Sequence, residues 1–192
     1  MPPARCESSI PRAPARRRVE PGASVVRSLA PQSEAVSVAD PVVIPGISAL
    51  KSFIGQRLGP TEWTAIEQEQ IDAFARATGD HQWIHVDTER ARRDSPFGGP
   101  IAHGYLTLSL IPALLPKLVD VQNVQMAVNS GLEKMRLPAP VPAGARVRMS
   151  AEFKHVREMP GGRARATIAV SFEVEGGNKP ACIADVVYLY FP

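Results

Sequence analysis

Cysteine is almost missing from these 192 residues. Cys6 and Cys182 stand far apart, so neither a disulfide framework nor a cysteine-based zinc site can be assembled within the chain, and a reducing, cytoplasmic setting is expected. Long apolar runs are missing as well. The longest, Tyr105 to Leu115, is eleven residues and contains Pro112, whereas a membrane helix needs about 20 apolar residues, so no membrane span is expected. There is no glycine-rich phosphate loop: Gly98-Gly99 precedes an apolar segment but lacks the lysine and the spacing, which counts against nucleoside triphosphate chemistry. One-sided charge is confined to the start of the chain. Residues 1–47 carry six arginines against four acids, while 48–192 carry sixteen basic against fifteen acidic residues. With aromatics at 6% and no clustered Lys/Arg between them, nucleic acid is not an expected partner.

What remains is ordinary globular usage, 44% hydrophobic and 21% charged, in a length that holds one domain and a short appendage. Residues 1–46 contain eight of the nineteen prolines and no aromatic residue, too little apolar surface to offset the entropy of ordering. Residues 1–47 are therefore expected to form a disordered Pro/Arg/Ser-rich extension, and 48–192 the folded domain. That extension has no apolar core of a secretory signal, and Glu7, Glu20 and its prolines oppose the amphipathic helix of a transit peptide.

Within the domain, Thr61 to Ile66 reads as a short strand. Thr64 and Glu67 have the spacing of a capping box for a helix running to about Thr78, with Ile71, Phe74, Ala75 and Thr78 on one face and Gly79 as its stop. Asp80 to Val86 reads as a loop and Asp87 to Arg92 as a short helical turn. His103 to Leu118 is apolar on nearly all sides, the pattern of a buried helix, which Pro112 should kink or end. Val121 to Leu137 is expected to supply a strand. Val147, Met149, Ala151 and Phe153, then Ala164 through Val174, alternate with polar residues, and Pro160-Gly161-Gly162 and Gly176-Gly177-Asn178 punctuate them as hairpin turns before Cys182 to Phe191. One antiparallel sheet partnered by one buried helix is an α+β layout.

The densest group of ionisable residues is Asp80-His81-Gln82-Trp83-Ile84-His85-Val86-Asp87. A carboxylate and an imidazole five residues apart across a loop can converge on one water and exchange protons near neutral pH. Two other readings stay open on the residues alone: Asp80 as a turn cap with His85 a structural histidine, or a metal held by His81, His85 and Asp87, with or without His103. His103-Gly104 opens the apolar helix. A helix start offers unpaired backbone donors to an oxygen gaining negative charge, and glycine permits close approach, though Gly104 could equally relieve packing.

The segments Phe74 to Asp87 and Pro96-Phe97-Gly98-Gly99-Pro100-Ile101-Ala102-His103-Gly104 resemble the MaoC-like dehydratases and their (R)-specific enoyl-CoA hydratases. The Gln82-Trp83-Ile84-His85 wording is most similar to the nodulation-protein-N-like subgroup, and the likeness runs from about Ile54 to Phe191. The resemblance implies a hot-dog fold, an antiparallel sheet around a long central helix. It implies reversible hydration of trans-2-enoyl thioesters to (R)-3-hydroxyacyl thioesters, with Asp80 and His85 as the acid-base pair and the Gly104 N–H facing the thioester oxygen. It places Gln82, Trp83, His103, Gly104 and Tyr105 at the substrate and calls for no metal or other cofactor. It also implies a homodimer acting on acyl-CoA or acyl-carrier-protein thioesters, whose phosphates Lys134, Arg136, Arg146 or Arg148 could meet, although their alternation along strands fits a solvated face equally well. The family's commoner wording has Asn-Pro where Gln82-Trp83 stand, which bears on chain-length preference. A thioesterase is disfavoured because His103 to Leu118 has no carboxylate; a non-catalytic acyl-thioester binder is the remaining alternative.

Overall fold

The computed structural model describes residues 40–192. In chain order these form β1 (Val42–Ile44), β2 (Arg57–Leu58), β3 (Thr64–Ala65), helices α1 (Gln68–Thr78), α2 (Trp83–Val86), α3 (Thr88–Asp94), α4 (Gly104–Ser109) and α5 (Ile111–Leu114), then β4 (Val119–Val121), β5 (Met126–Arg136), β6 (Arg146–Met159), β7 (Arg163–Val174) and β8 (Pro180–Phe191). A 3₁₀ segment, Ile47–Phe53, follows β1, and a single 3₁₀ turn, Leu115–Lys117, follows α5.

Alternation builds the sheet. Even-numbered side chains of β7, from Ala164 to Phe172, are buried, as are Val147, Met149, Ala151 and Phe153 on β6 and Cys182, Ala184, Val186, Tyr188 and Tyr190 on β8. Antiparallel pairing in register sets Met149 beside Phe172 and Phe172 beside Cys182, so one face carries a continuous apolar layer. Gly161, Gly162 and Gly176 take positive φ at the two hairpin turns, as the punctuation in the sequence requires. The strand order is β2-β6-β7-β8-β5, with β3 also pairing with β6. β5 is an edge strand, exposed at ten of its eleven residues.

Onto the apolar layer pack Leu106, Ile111, Leu114, Leu115 and Leu118, from the segment expected to be the central helix. It is broken rather than kinked: α4 ends at Ser109, and Pro112, which has no N–H to donate, sits in the first turn of α5. Nor is it buried all round. Tyr105, Ser109, Pro112, Ala113 and Pro116 form an exposed flank, because the sheet covers only one side.

Three local expectations need correction. The capping box is not formed: Thr64 lies in β3, and Glu67 is the residue preceding α1, with no side-chain cap. Pairing of Thr64 with Val147 of β6 takes precedence over the local cap. The expected loop at Asp80 to Val86 contains the one-turn helix α2, whose brevity leaves no periodicity to read. The folded domain also begins before residue 48. Val42–Ile44 pairs in parallel with Val119–Val121, and Ile44 is fully buried, so the end of the expected extension belongs to the domain. Residues 1–39, the rest of that extension, lie outside the described residues. Two prolines, Pro41 and Pro45, flank these three β-branched residues and masked the strand.

Ile44→Ala is expected to cost about 2–4 kcal/mol, the usual range for emptying a core position, in urea unfolding monitored by circular dichroism. A loss within experimental error of zero would show that β1 is not part of the cooperative unit.

Candidate functional site

The site is built where α1 stops. Gly79 takes the left-handed conformation, φ 78°, and its N–H closes the helix on the Ala75 carbonyl at 2.8 Å. The chain then turns through Asp80, His81 and Gln82 into α2, which carries His85. After α2, Asp87 caps α3 by accepting a hydrogen bond from the Arg90 N–H at 3.0 Å. The segment returning through Gly98 is stitched into place from both sides: the Ile101 N–H donates to the Ile84 carbonyl at 3.1 Å, and the Ala102 N–H to the Val141 carbonyl at 2.8 Å. His103 then stands just before α4, with Gly104 as its first residue.

His85 is buried, and its Nδ1 lies 2.7 Å from the Ile101 carbonyl oxygen. A carbonyl can only accept, so Nδ1 carries the proton and donates it. In the neutral ring Nε2 is then the bare nitrogen, able to accept a proton. Burial pushes the His85 pKa below the ordinary imidazole value. The hydrogen bond to Ile101 opposes that shift, the neighbouring His103 adds to it, and Asp80 opposes it. The backbone of His85 is anchored too: Gln68 Nε2 donates to its carbonyl at 2.7 Å and to Asp72 Oδ1 at 2.8 Å, tying α1 to α2.

Asp80, His85 and His103 each place one side-chain oxygen or nitrogen within 4.8 Å of the others. The sequence separations of five and twenty-three residues therefore close onto one spot. Asp80 sits at its solvent side, with 54% of its side chain exposed, while His103 is 2% exposed. The two imidazoles stack, centroids 3.9 Å apart and planes 28° apart, and Phe74 backs His103 at 5.0 Å. Stacked rings aim their lone pairs along nearly parallel planes instead of toward one centre, a poor arrangement for two imidazoles sharing one cation. The metal set weighed from the sequence is not gathered: His81 is exposed, and Asp87 is occupied as a helix cap.

Beside this cluster lies a cavity of about 310 Å³, lined by His85 and Gly104 together with Phe97, Thr107, Leu137 and Ala181 among others. A Cβ at Gly104 would collide with Leu137 Cδ1, so the tip of that nearly half-exposed side chain would have to turn aside. Packing relief at Gly104 is thus real, and the contact that requires it is also a wall of the cavity. Other expected substrate residues are elsewhere. Gln82 is exposed, Tyr105 is 65% exposed, and Trp83 lies under the Arg90 guanidinium at 4.3 Å; none of the three lines the cavity. His103 does not line it either, being packed behind His85. Of the four basic residues, Arg146 is paired with Glu175 and Arg148 with Glu173, leaving Lys134 and Arg136 without an ion pair among the described residues. Phe97, Thr107 and Leu137 were missed as lining residues, since apolar and hydroxyl side chains carry no chemical signal until the fold brings them together. Cys182 is no nucleophile here: burial raises its thiol to about 11.

Comparison with known proteins bears on this geometry. Residues 50–175 match the family model described as a MaoC-like domain. The chain is 46% identical over 144 residues to 3-hydroxyacyl-thioester dehydratase Z of Mycobacterium tuberculosis, covering 75% of this chain and 95% of that protein. It is 42% identical over 143 residues to nodulation protein N of Rhizobium leguminosarum bv. viciae, covering 72% and 87%. Among solved structures, the unliganded R-hydratase of Pseudomonas aeruginosa superimposes with a TM-score of 0.58 at 22% identity, covering 77% of this chain and 85% of that one. The fold is the hot-dog fold of those neighbours, in agreement with the α+β layout expected.

Two outcomes follow from the packing. Gly104→Ala turns aside only the tip of the nearly half-exposed Leu137 and is expected to cost less than about 1 kcal/mol, with a smaller loss when introduced into Leu137→Ala; equal losses in the two backgrounds, by urea unfolding, would contradict the contact. His85 binds its proton less tightly when folded than when unfolded, where its value is near 6.5. Stability is therefore full above that value and falls as the pH drops from it toward the lower folded value. His85→Gln should lack this component, read as a flatter loss of stability below neutral pH in paired denaturation curves.

Proposed function

The chain belongs to the MaoC-like dehydratase family, and from that premise we propose that it catalyses the reversible hydration of trans-2-enoyl-CoA thioesters to (R)-3-hydroxyacyl-CoA. The observation that carries this reading is the bare Nε2 of a buried His85 that lines a cavity together with Gly104, with one ring nitrogen of His85 within 4.8 Å of an Asp80 carboxylate oxygen. One water held between Asp80 and His85 would give a proton to Nε2 as its oxygen bonds to C3. The electrons of the C2–C3 double bond shift toward the thioester oxygen, where the N–H of Gly104 would offset the growing charge. The imidazolium then returns its proton to C2, so one water is added and the pair regains its starting state. Removing one comparable oxyanion donor typically costs about 3–4 kcal/mol at the transition state, enough to make that contact matter.

The low pKa of His85 suits this role, because the neutral ring persists at a pH where an ordinary imidazole is half protonated. The name of the mycobacterial relative supports thioester chemistry in the dehydration direction, the same site run backwards. Coenzyme A and an acyl-carrier protein present the same phosphopantetheine arm, so an acyl-carrier-protein thioester is the second reading of the substrate. Of the four basic residues considered for its phosphates, Lys134 and Arg136 are the two without an ion pair among the described residues, and Arg136 adjoins Leu137 on the chain. A binder without catalysis would keep the cavity but have no need of the paired side chains.

Assembly as a homodimer is part of the proposal. β5 leaves one edge unpaired and exposes Met126 and Val128 on one face and, past an irregularity in the strand, Leu132 on the other, apolar side chains that water solvates poorly and a second copy's edge can cover. Sedimentation at micromolar concentration is expected to give twice the 20.7 kDa chain mass, falling to the monomer in Val128→Lys. A native monomer would remove this part.

The enzymatic reading is tested with crotonyl-CoA and a longer 2-enoyl-CoA, following loss of the conjugated absorbance and the configuration of the product. Water addition giving the (R)-alcohol is expected. Asp80→Asn and His85→Gln should each lower kcat by at least about 100-fold, the usual scale for losing a general acid-base group, with circular dichroism unchanged. Release of free thiol would identify a thioesterase instead, and no change in either signal an idle binder.

A further inference from the structure

His103 was expected at the substrate, yet it lies behind the reacting pair and touches both members. Its Nε2 is 2.9 Å from the backbone carbonyl oxygen of Asp80, a hydrogen bond that spans 23 residues, and 3.9 Å from Asp80 Oδ2. Its ring stacks on His85. Since the carbonyl accepts, Nε2 carries the proton, and Nδ1 is the nitrogen left buried without a partner.

The segment this bond holds has little else to hold it. Asp80 is exposed, and the contacts from its own N–H to Thr78 Oγ1 and from the Gln82 N–H to its carboxylate are both 3.4 Å, at the long limit for a hydrogen bond. The His81 N–H reaches the Gly79 carbonyl at 3.2 Å. Three residues after a left-handed glycine, with weak local bonds, would otherwise sample several conformations. Resting on the reading above, we propose that His103 is a positioning residue: its Nε2–H fixes the peptide of Asp80, and its ring fixes the plane of His85, so that the carboxylate and the imidazole face the same water.

The charged and titratable groups facing His103 are His85 on α2 and Asp80 in the turn between α1 and α2; from α1 itself the neighbour is Phe74, which carries no charge. The two functions of the ring can be separated by substitution. His103→Phe keeps a ring face against His85 and removes the donor to Asp80. His103→Gln keeps a donor at about the Nε2 position and removes the ring.

The experiment measures kcat and KM with crotonyl-CoA, and amide hydrogen exchange across residues 79–87 by mass spectrometry, for the native protein and both variants. His103→Phe is expected to lower kcat about 10-fold or more, with KM changed less than about 3-fold, and to speed exchange at 80–82. His103→Gln should restore native exchange there but recover kcat only in part, because the donor to Asp80 returns while the ring against His85 does not. In an Asp80→Asn background, His103→Phe should lower kcat no further, because its effect runs through Asp80. A His103→Phe protein with native kcat and native exchange overturns the proposal, as does a folded His103→Gln protein whose 80–82 segment exchanges as fast as that of His103→Phe. The exchange readout does not depend on turnover. If the native protein fails to hydrate either enoyl thioester, the functional reading falls while slow exchange restored by glutamine still supports the positioning role.

Discussion

The hydrogen bond from His85 Nδ1 to the Ile101 carbonyl organises the rest. It joins a one-turn helix to the segment that leads into the central helix, and it decides which imidazole nitrogen is free. Without it the ring could rotate and present either nitrogen, and the cavity beside Gly104 would have no oriented base. The supporting bonds form a frame around it: Ile101 N–H to Ile84, Ala102 N–H to Val141, and Gln68 to the His85 carbonyl. Each joins residues distant in sequence, so the site exists only when sheet, central helix and preceding turns have come together. A buried imidazole is costly to charge, and the same burial that lowers the His85 pKa keeps the ring in the neutral form that acid-base work at neutral pH requires.

The fold supplies that frame through ordinary means. Alternating strands build one apolar face, the leucines and isoleucine of the broken central helix cover it, and the polar turns collect where that helix begins. Gly104 is tight against Leu137, the residue after β5, so the cavity wall and the helix start are one packing unit. The edge strand that leads to Leu137 is exposed at ten of its eleven residues.

Much of this was legible in the sequence. Period-2 alternation over 164–174 and the glycine pairs at 161–162 and 176–177 announced the hairpins, because both signals depend on near neighbours alone. The Asp80 and His85 spacing announced a pair, and the structure brings those two together. Other features were not legible for identifiable reasons. β1 is three residues long and sits between prolines, and its pairing partner lies 77 positions away. The capping-box spacing at Thr64 was overridden by a strand bond to Val147. Trp83, Gln82 and Tyr105 drew attention by residue type but are not among the residues lining the cavity, while Leu137 and Thr107 line it without any chemical mark. His103 was legible as important, though not as a support, since stacking on His85 is a purely tertiary relation.

The measurement that reaches the central claim most directly is the tautomer of His85, read from ¹⁵N and ¹³C imidazole shifts in the native protein at pH 7. The account predicts a neutral ring with the proton on Nδ1 and a bare Nε2, and the signal should vanish in His85→Gln. A ring protonated on Nε2, or one already cationic at that pH, would contradict it, because no oriented acceptor would then face the water beside Asp80.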